Sequence, residues 1–323
     1  GGLRRPIRIY PLEAAERDLE NARRLEARFV ALGEPDYPPL LKHIDSAPPL
    51  LCLKGSAQAM LRPAIAIVGA RNASASGRKF TRQIAAELGR QDFTIVSGLA
   101  RGIDTAAHAA SVETGTVAVL AGGIDVIYPP ENAELYHQIV NAGGAIVTEM
   151  TPGTVPQAKH FPRRNRIISG MSYGTVVIEA AKRSGSLISA RLALEQGREV
   201  FAVPGSPLDP RAQGTNGLIR QGATLTEGAS DVVRVIGPLL ERSLFDDSEM
   251  DEPSAYEGPA YDPEVSGSAR EEVIGLLSTS PVEIDDLIRE SGLPAGTVLT
   301  VLLELELAGK LQRQGGQMVS LVP

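Results

Sequence analysis

A regular alternation of short apolar segments with helix-forming segments constrains the fold of this chain more than any other feature. Helices are predicted over 76–90, 103–113 and 186–196. The predominantly apolar segments, each four or five residues long, are predicted strands at 64–68, 93–96, 116–120, 145–148, 175–178 and 200–203. Strands without regular polar alternation are typical of parallel sheets whose two faces are both covered. We therefore predict an α/β fold, a Rossmann-like parallel sheet with helices on both faces.

The segments that flank this pattern predict smaller units. Residues 12–32 are rich in Ala, Leu, Glu and Arg and predict one amphipathic helix. After the sheet, an acidic, aperiodic stretch predicts a flexible linker, and three helices followed by two short strands around Gly315-Gly316 predict a winged helix. We therefore predict four parts: an N-terminal helical segment (1–45), a Rossmann-like domain (46–240), an acidic linker (241–266) and a winged-helix domain (267–323).

Composition excludes several classes of protein. Cys52 is the single cysteine, so no internal disulfide can form and a reducing, cytoplasmic location is expected. No apolar run is long enough to span a bilayer, no signal-peptide pattern is present, and the start at Gly1-Gly2 without methionine suggests missing upstream sequence. Zinc-ligand spacing, a P-loop, a dinucleotide-binding glycine motif and a nucleophile elbow are all absent. We predict no metal, no cofactor and no catalytic residue.

The stretch Lys159–Arg166, with the sequence KHFPRRNR, is the strongest functional signal. It places four positive charges around Phe161, although the whole chain carries a net charge of -7. The acidity is concentrated after residue 240, so that residues 1–240 carry a net charge of +5. Taken alone, a basic run is more often a solvated loop. A basic cluster on a folded element beside an aromatic ring, however, is how proteins bind a nucleic-acid backbone together with a base.

The ends of the predicted strands add further possible phosphate contacts. Arg71 follows the first strand, and Arg101 follows Ser97-Gly98 at the second. Ser184-Gly185-Ser186 opens a helix, and Gly205 follows the last strand. Helix amino ends favour anions because of their N–H groups and positive dipole end. The first three of these turns together with the basic cluster favour a nucleic-acid pocket.

Several polar residues near these turns have open roles. Asp104 is predicted either to cap a helix or to orient Arg101 or Arg71. His108 is predicted at the polar rim of the pocket and Asn132 in a turn or cap. Asp125 and Tyr128 are predicted to line the same pocket.

The third predicted helix of the winged unit carries no Lys or Arg and displays Glu304 and Glu306. A helix that reads duplex DNA normally carries basic or amide side chains. We therefore predict a protein-interaction or dimerisation unit, with weak duplex binding as the alternative, and do not favour a winged-helix transcription factor.

Several strings, in this order, resemble the DNA processing protein A (DprA/Smf) family from about residue 35 to 236. They are Ile67–Arg71 (IVGAR), Val96–Asp104 (VSGLARGID), Phe161–Gly170 (FPRRNRIISG), Ser184–Ser189 (SGSLIS) and Gly214–Ala223 (GTNGLIRQGA). The resemblance implies a cytoplasmic, homodimeric single-stranded DNA-binding protein. Such a protein protects incoming DNA in natural transformation and loads a RecA-type recombinase onto it.

The resemblance also implies site residues. Leu218 and Ile219 are expected at the dimer interface. The expected DNA-binding residues are Arg71, Ser97, Gly98, Arg101, Lys159, Phe161, Arg163, Arg164, Asn165, Arg166, Ser184, Gly185, Ser186 and Gly205. The alternative is a nucleotide-binding enzyme of the related phosphoribohydrolases, since Gly174-Thr175 and Glu179 loosely resemble part of their glycine-rich motif. The glycine pair of that motif is missing here and the glutamate is spaced differently.

Overall fold

The structure is a computed structural model that describes residues 10–249, 267–314 and 318–322 of the 323-residue chain. The chain divides into two compact units, with the boundary between Ser248 and Glu249.

The larger unit is built around a nine-stranded sheet with the order β1-β2-β6-β5-β4-β3-β7-β8-β9. All neighbouring strands from β6 to β9 in this order are parallel, whereas β1 and β2 pair antiparallel at one edge. The strands are β1 (Ala27–Ala31), β2 (Leu50–Gly55), β3 (Ala64–Val68), β4 (Thr94–Ser97), β5 (Thr116–Val119), β6 (Ala145–Thr148), β7 (Gly174–Val177), β8 (Glu199–Ala202) and β9 (Thr224–Leu225). The helices are α1 (Leu12–Arg24), α2 (Gln58–Leu61), α3 (Ala75–Gly89), α4 (Ile103–Ser111), α5 (Ala133–Asn141), α6 (His160–Gly170), α7 (Ser186–Glu195), α8 (Gln213–Arg220) and α9 (Ala229–Glu249).

Both faces of the central sheet are covered, as strand β3 illustrates. Its five residues are all buried. Ile65 and Ile67 belong to the apolar cluster of α3 and α4, whereas Ala66 and Val68 belong to the cluster that includes Ile167 of α6. Successive side chains of a strand point to opposite faces, so an uninterrupted apolar strand needs a helix layer on each side. The predicted fold class is confirmed.

The order of the strands reverses at β3. Strands β4, β5 and β6 follow on one side of β3, and β7, β8 and β9 follow on the other. In open α/β sheets, ligands bind outside the carboxyl ends of the strands at such a reversal. The carboxyl ends of β3, β4 and β7 are therefore where a binding site is expected.

The predicted helix over 12–32 is wrong beyond Arg24. Glu26 adopts a left-handed backbone conformation (φ 55°), and the chain then forms β1, which pairs with β2 so that Phe29 lies opposite Cys52. Aromatic and β-branched side chains suit a sheet edge, and this pairing overrides the helical composition of the preceding residues. The segment over 1–45 is thus not purely helical, because it contributes a strand to the sheet.

The predicted flexible linker is also wrong in its first part. Helix α9 continues to Glu249 and so includes residues 241–249. In the sequence, Leu240 and Leu244 are spaced by four, which extends the apolar repeat of a helix. Residues 250–266 lie outside the described residues.

The smaller unit contains three helices and a small antiparallel sheet of order β10-β12-β11. Its core includes Val273, Leu287 and Val301. The elements are α10 (Gly267–Leu276), β10 (Val282–Glu283), α11 (Ile284–Ser291), α12 (Ala295–Leu307), β11 (Leu311–Gln314) and β12 (Met318–Leu321). The predicted helices and two strands are present, and two-residue β10 was missed because it is too short for a periodic signal. Gly315-Gly316 lie outside the described residues.

Among the described helices, none is long and apolar enough to cross a membrane. The described residues also contain no group of three or more His, Cys, Asp or Glu side chains that is able to hold a metal ion.

Candidate nucleic-acid interface

A cavity of about 620 Å³ lies beyond the carboxyl ends of β3, β4 and β7, between the loop that follows β3, helix α6 and the start of α7. Among the described residues that line it, one is acidic, Asp104. Four are arginines: Arg71, Arg164, Arg183 and Arg211. The lining therefore favours an anionic ligand at the place where the fold predicts one.

Phe161 forms an aromatic contact at the rim of this cavity. The guanidinium carbon of exposed Arg71 lies 5.0 Å from the centroid of the half-buried Phe161 ring. Tyr128 meets the same ring edge-on, with centroids 5.9 Å apart and planes at 65°. A base stacks on such a ring while a neighbouring guanidinium contacts phosphate. Tyr128 and Arg101 do not line this cavity but a small recess beside Phe161.

The Ser97–Gly98 turn lies against Arg164 and does not present a hydroxyl to the cavity. Ser97 is fully buried and its Oγ donates to the carbonyl of Ile67 at 2.6 Å. A Cβ added at Gly98 would lie 2.2 Å from Arg164 Nη1. A side chain at this position would therefore displace the Arg164 guanidinium, because the backbone and the guanidinium approach so closely.

The side chains of Asp104 and His108 accept hydrogen bonds from the backbone of this turn and of the residues that follow it. The Asp104 carboxylate accepts from the N–H groups of Gly98 (3.1 Å) and Ala100 (3.4 Å), so it orients the turn and contacts neither Arg101 nor Arg71. Burial raises the pKa of Asp104, and the charge of Arg164 opposes that rise.

The prediction that His108 lies at the polar rim is wrong. His108 is fully buried, and its Nε2 accepts from the Leu99 N–H at 3.3 Å while its Nδ1 lies 2.8 Å from Thr116 Oγ1. The Thr116 hydroxyl itself donates to the Ile95 carbonyl, which leaves Nδ1 as the donor in that contact. Burial lowers the pKa of His108 to about 3, so the ring is neutral.

Asn132 occupies the N-cap position of α5, as predicted, but its side chain makes no cap bond. Its Nδ2 donates instead to the Leu99 carbonyl at 2.8 Å. Asp125 does not line the cavity, and its carboxylate accepts from the Gly153 N–H at 2.7 Å. Arg101 is exposed and forms an ion pair with Glu131.

Helix α6 divides the basic cluster between solvent and interior. Lys159 is exposed at the start of the helix, and Arg163 is 62% exposed with its Nε 3.0 Å from Glu149 Oε1. Arg166 is only 13% exposed and forms an ion pair with the same glutamate, itself 5% exposed. Arg163 and Arg166 are one helical turn apart, which lets both reach Glu149.

Arg164 points the other way from this pair and forms part of the cavity floor. It is 5% exposed, and its Nη1 donates to the carbonyls of Gly98 (2.7 Å) and Val119. Its Nε donates to Asn165 Oδ1 at 3.2 Å, and both residues line the cavity. Lys159 and Arg163 are thus exposed to solvent, and Arg164 lies at the floor of the cavity. Arg166 forms an internal ion pair.

The start of α7 completes the cavity. Ser184, Gly185 and Ser186 all line it, and the two serine hydroxyls lie 2.7 Å apart. Arg183 precedes them and was missed, although its place beside the Ser-Gly-Ser turn was a usable signal. Arg211 was also missed, and no local pattern pointed to it. Its side chain is fixed by Asp209 through bonds of 3.1 and 3.0 Å.

Three other predicted residues lie away from the cavity. Gly205 lines a neighbouring cleft with Glu179 and Arg211. Leu218 is buried in the apolar core, and Ile219 is partly buried against the same core, so their dimer role stays a prediction. The Glu179 carboxylate accepts from both the N–H (2.9 Å) and the hydroxyl of Ser74, at the cap of α3.

Comparison with known proteins agrees with this geometry. A family model described as DNA recombination-mediator protein A matches residues 28–237, and one described as DprA winged helix domain matches residues 257–317, which confirms the predicted winged helix. Protein Smf of Escherichia coli (strain K12) is 39% identical over 289 residues, covering 88% of this chain and 75% of that protein.

Two solved structures are similar in fold. The X-ray structure of DNA processing protein A from Streptococcus pneumoniae matches with a TM-score of 0.64 and 38% identity, covering 70% of this chain and 78% of that one. DNA processing protein A from Helicobacter pylori, described for its single-stranded DNA binding mode, matches with a TM-score of 0.58 and 27% identity, covering 66% of this chain and 96% of that one.

Proposed function

Because this chain belongs to the DNA recombination-mediator protein A family, we propose that it binds single-stranded DNA in the cavity beyond β3, β4 and β7. The contact of Arg71 with the Phe161 ring carries this proposal, since it sets a cation and a stacking surface side by side at the mouth of an arginine-lined cavity. The Helicobacter pylori relative is described as a single-stranded DNA binder, which supports the same ligand.

The proposed mechanism joins electrostatic contacts to base stacking. Phosphates lie against Arg71, Lys159 and Arg163, the exposed cations at the rim and on α6. A base stacks on Phe161, either on the free part of the ring or in place of the Arg71 guanidinium. A duplex keeps its bases stacked within the helix, so single strands are preferred.

We further propose that the chain acts as a recombination mediator. It protects incoming single strands in natural transformation and loads a RecA-type recombinase in the cytoplasm, as a homodimer that uses the region of Leu218 and Ile219. The winged helix serves as a protein-interaction unit. Leu299 and Leu303, one turn apart on α12, are 43% and 50% exposed, and that helix carries no Lys or Arg.

Photo-crosslinking tests the site. Single-stranded DNA that carries 5-bromouracil is irradiated with the protein, and the crosslinked peptide is identified by mass spectrometry. We expect the crosslink at Phe161 or Tyr128. Efficient crosslinks that map only to peptides away from the cavity would refute the site.

Recombinase loading is tested separately by ATP hydrolysis of a RecA-type recombinase on single strands already coated with a single-strand-binding protein. Addition of this chain is expected to shorten the lag before hydrolysis, and an Arg71→Ala, Lys159→Ala double variant is expected not to. An Arg24→Ala variant is the matched control, because Arg24 is exposed, pairs with Glu20 and does not line the cavity. An unchanged lag with wild-type protein would refute loading while leaving DNA binding intact.

A further inference from the structure

Arg164 is a buried cation whose hydrogen bonds go to neutral acceptors. It is 5% exposed, and it donates from Nη1 to two backbone carbonyls and from Nε to the side-chain amide of Asn165. Among the described residues it forms no ion pair, and its Nη2 donates no hydrogen bond. Nη2 is therefore the nitrogen left to face the cavity that Arg164 lines. The charge of Asp104, which also lines the cavity, offsets part of the cost of burying this cation, and an anion bound at Nη2 would offset more.

The start of α7 faces the same cavity. Gly185 and Ser186 begin this ten-residue helix, whose positive dipole end favours an anion. The hydroxyls of Ser184 and Ser186 are adjacent to each other there, and an added Cβ at Gly185 would meet open space. The anion-binding groups thus lie at two depths, with Arg164 at the floor and Arg71 and Arg183 exposed at the rim.

This arrangement suits a group that ends in the cavity. A phosphodiester within a strand carries one negative charge and continues in both directions, so it lies most easily along a rim. A phosphomonoester carries nearly two negative charges and three terminal oxygens able to accept hydrogen bonds. A cavity of about 620 Å³ is within the size range of small-ligand sites and has room for a nucleotide.

We propose that the cavity binds a nucleotide phosphomonoester, with its terminal phosphate against Arg164 Nη2 and the hydroxyls of Ser184 and Ser186. The source is the phosphorylated end of a DNA strand or a free nucleoside monophosphate. The strand-end form rests on the proposed function, because the strand then leaves across Phe161 and the rim cations. The free nucleotide form does not depend on it.

Binding of four substrates of one sequence tests the strand-end form: a linear single strand with a 5′-phosphate, one with a 3′-phosphate, one with neither, and a circular strand. Fluorescence competition reports their affinities. We expect one phosphorylated end to bind about tenfold more tightly than the unphosphorylated and circular strands, as for one added charge-assisted contact. Thermal stabilisation by thymidine monophosphate, with thymidine as the matched control, tests the free nucleotide form.

Variants separate this pocket from the rest of the interface. Ser186→Ala and Arg183→Ala are expected to reduce the affinity ratio between phosphorylated and unphosphorylated strands towards one. Arg191→Ala, on the same helix but exposed, paired with Glu195 and outside the cavity lining, is expected to leave the ratio unchanged. Arg164→Lys tests the contact at the cavity floor directly and is also expected to lower this affinity ratio. If Arg164→Lys fails to fold, Ser186→Ala still tests the proposed phosphate site.

The outcomes distinguish the two proposals. Equal binding of all four strands, with no stabilisation by thymidine monophosphate, would overturn phosphomonoester recognition and leave single-strand binding standing. Stabilisation by thymidine monophosphate without any single-strand binding would support this inference and overturn the proposed function. A preference for phosphorylated ends supports both.

Discussion

Replacement by alanine is expected to affect DNA binding at Lys159 but folding stability at Arg166, although both belong to the basic cluster. Lys159 is exposed at the start of α6 and available to phosphate. Arg166 is 13% exposed and paired with Glu149, which is 5% exposed. Lys159→Ala therefore removes a phosphate contact, whereas Arg166→Ala takes one partner away from a buried ion pair.

The magnitudes follow from these positions. Loss of one phosphate contact makes the fall of log K with log salt shallower by about 0.7 for a single strand. Raising the salt from 50 to 200 mM is therefore expected to weaken binding by a factor that is about 2.5 times smaller than in the wild type. Removal of one partner of a buried ion pair costs about 3–5 kcal/mol of unfolding free energy. Arg163 still lies beside Glu149, which favours the lower end of that range.

Fluorescence anisotropy across a salt series measures the first effect, and urea denaturation measures the second. Lys159→Ala is expected to change the salt slope of binding but not the unfolding midpoint. Arg166→Ala is expected to change the unfolding midpoint but not the salt slope. Arg24→Ala, with the same loss of charge elsewhere, is expected to change neither. If Arg166→Ala instead lowers the slope and leaves stability intact, the assignment of Arg166 to an internal ion pair is refuted.

Three further predictions concern Phe161, Gly98 and His108. Phe161→Leu is expected to cost about 1–3 kcal/mol of single-strand binding free energy through lost stacking, without a change of salt slope. Tyr128→Phe keeps its ring and is expected to cost much less. Equal losses of affinity for the two variants, measured by fluorescence anisotropy, would contradict this. Gly98→Ala is expected to lower both the unfolding free energy and the affinity, because its Cβ would lie 2.2 Å from Arg164 Nη1; wild-type values for both would show that the turn tolerates a side chain. The pKa of His108 is lowered to about 3 in the folded state, so its contribution to stability is fully present above the unfolded pKa of about 6.5 and is lost as pH falls towards 3, by about 1.4 kcal/mol per pH unit. In urea denaturation, the wild type is therefore expected to lose about 1.6 kcal/mol more than His108→Gln between pH 6.5 and 5, and parallel losses would contradict the buried neutral ring.

The fold was predictable because its strands are buried on both faces. Strand β3 has no polar residue in its five positions, and β4 and β5, although each contains threonine, are also buried at every position. Edge strand β1 was not predictable, because only its pairing with β2 distinguishes it from a continuation of α1.

The site was predictable as a region, but the role of each residue was not. The sequence placed four cations within eight residues, yet the phase of α6 decides that Lys159 and Arg163 face solvent while Arg164 and Arg166 do not. His108 looked like a rim residue because nothing local reveals that the Leu99 N–H and Thr116 enclose it. Such roles depend on contacts between residues distant in the chain.

The most direct measurement is fluorescence anisotropy of the wild-type chain with a single strand and its matched duplex across a salt series. We expect the single strand to bind more tightly at every salt concentration. With phosphates on Arg71, Lys159 and Arg163, log K is expected to fall against log salt with a slope of about -2. Equal affinity for the duplex, or an affinity that does not change with salt, would contradict binding through exposed cations and an unstacked base.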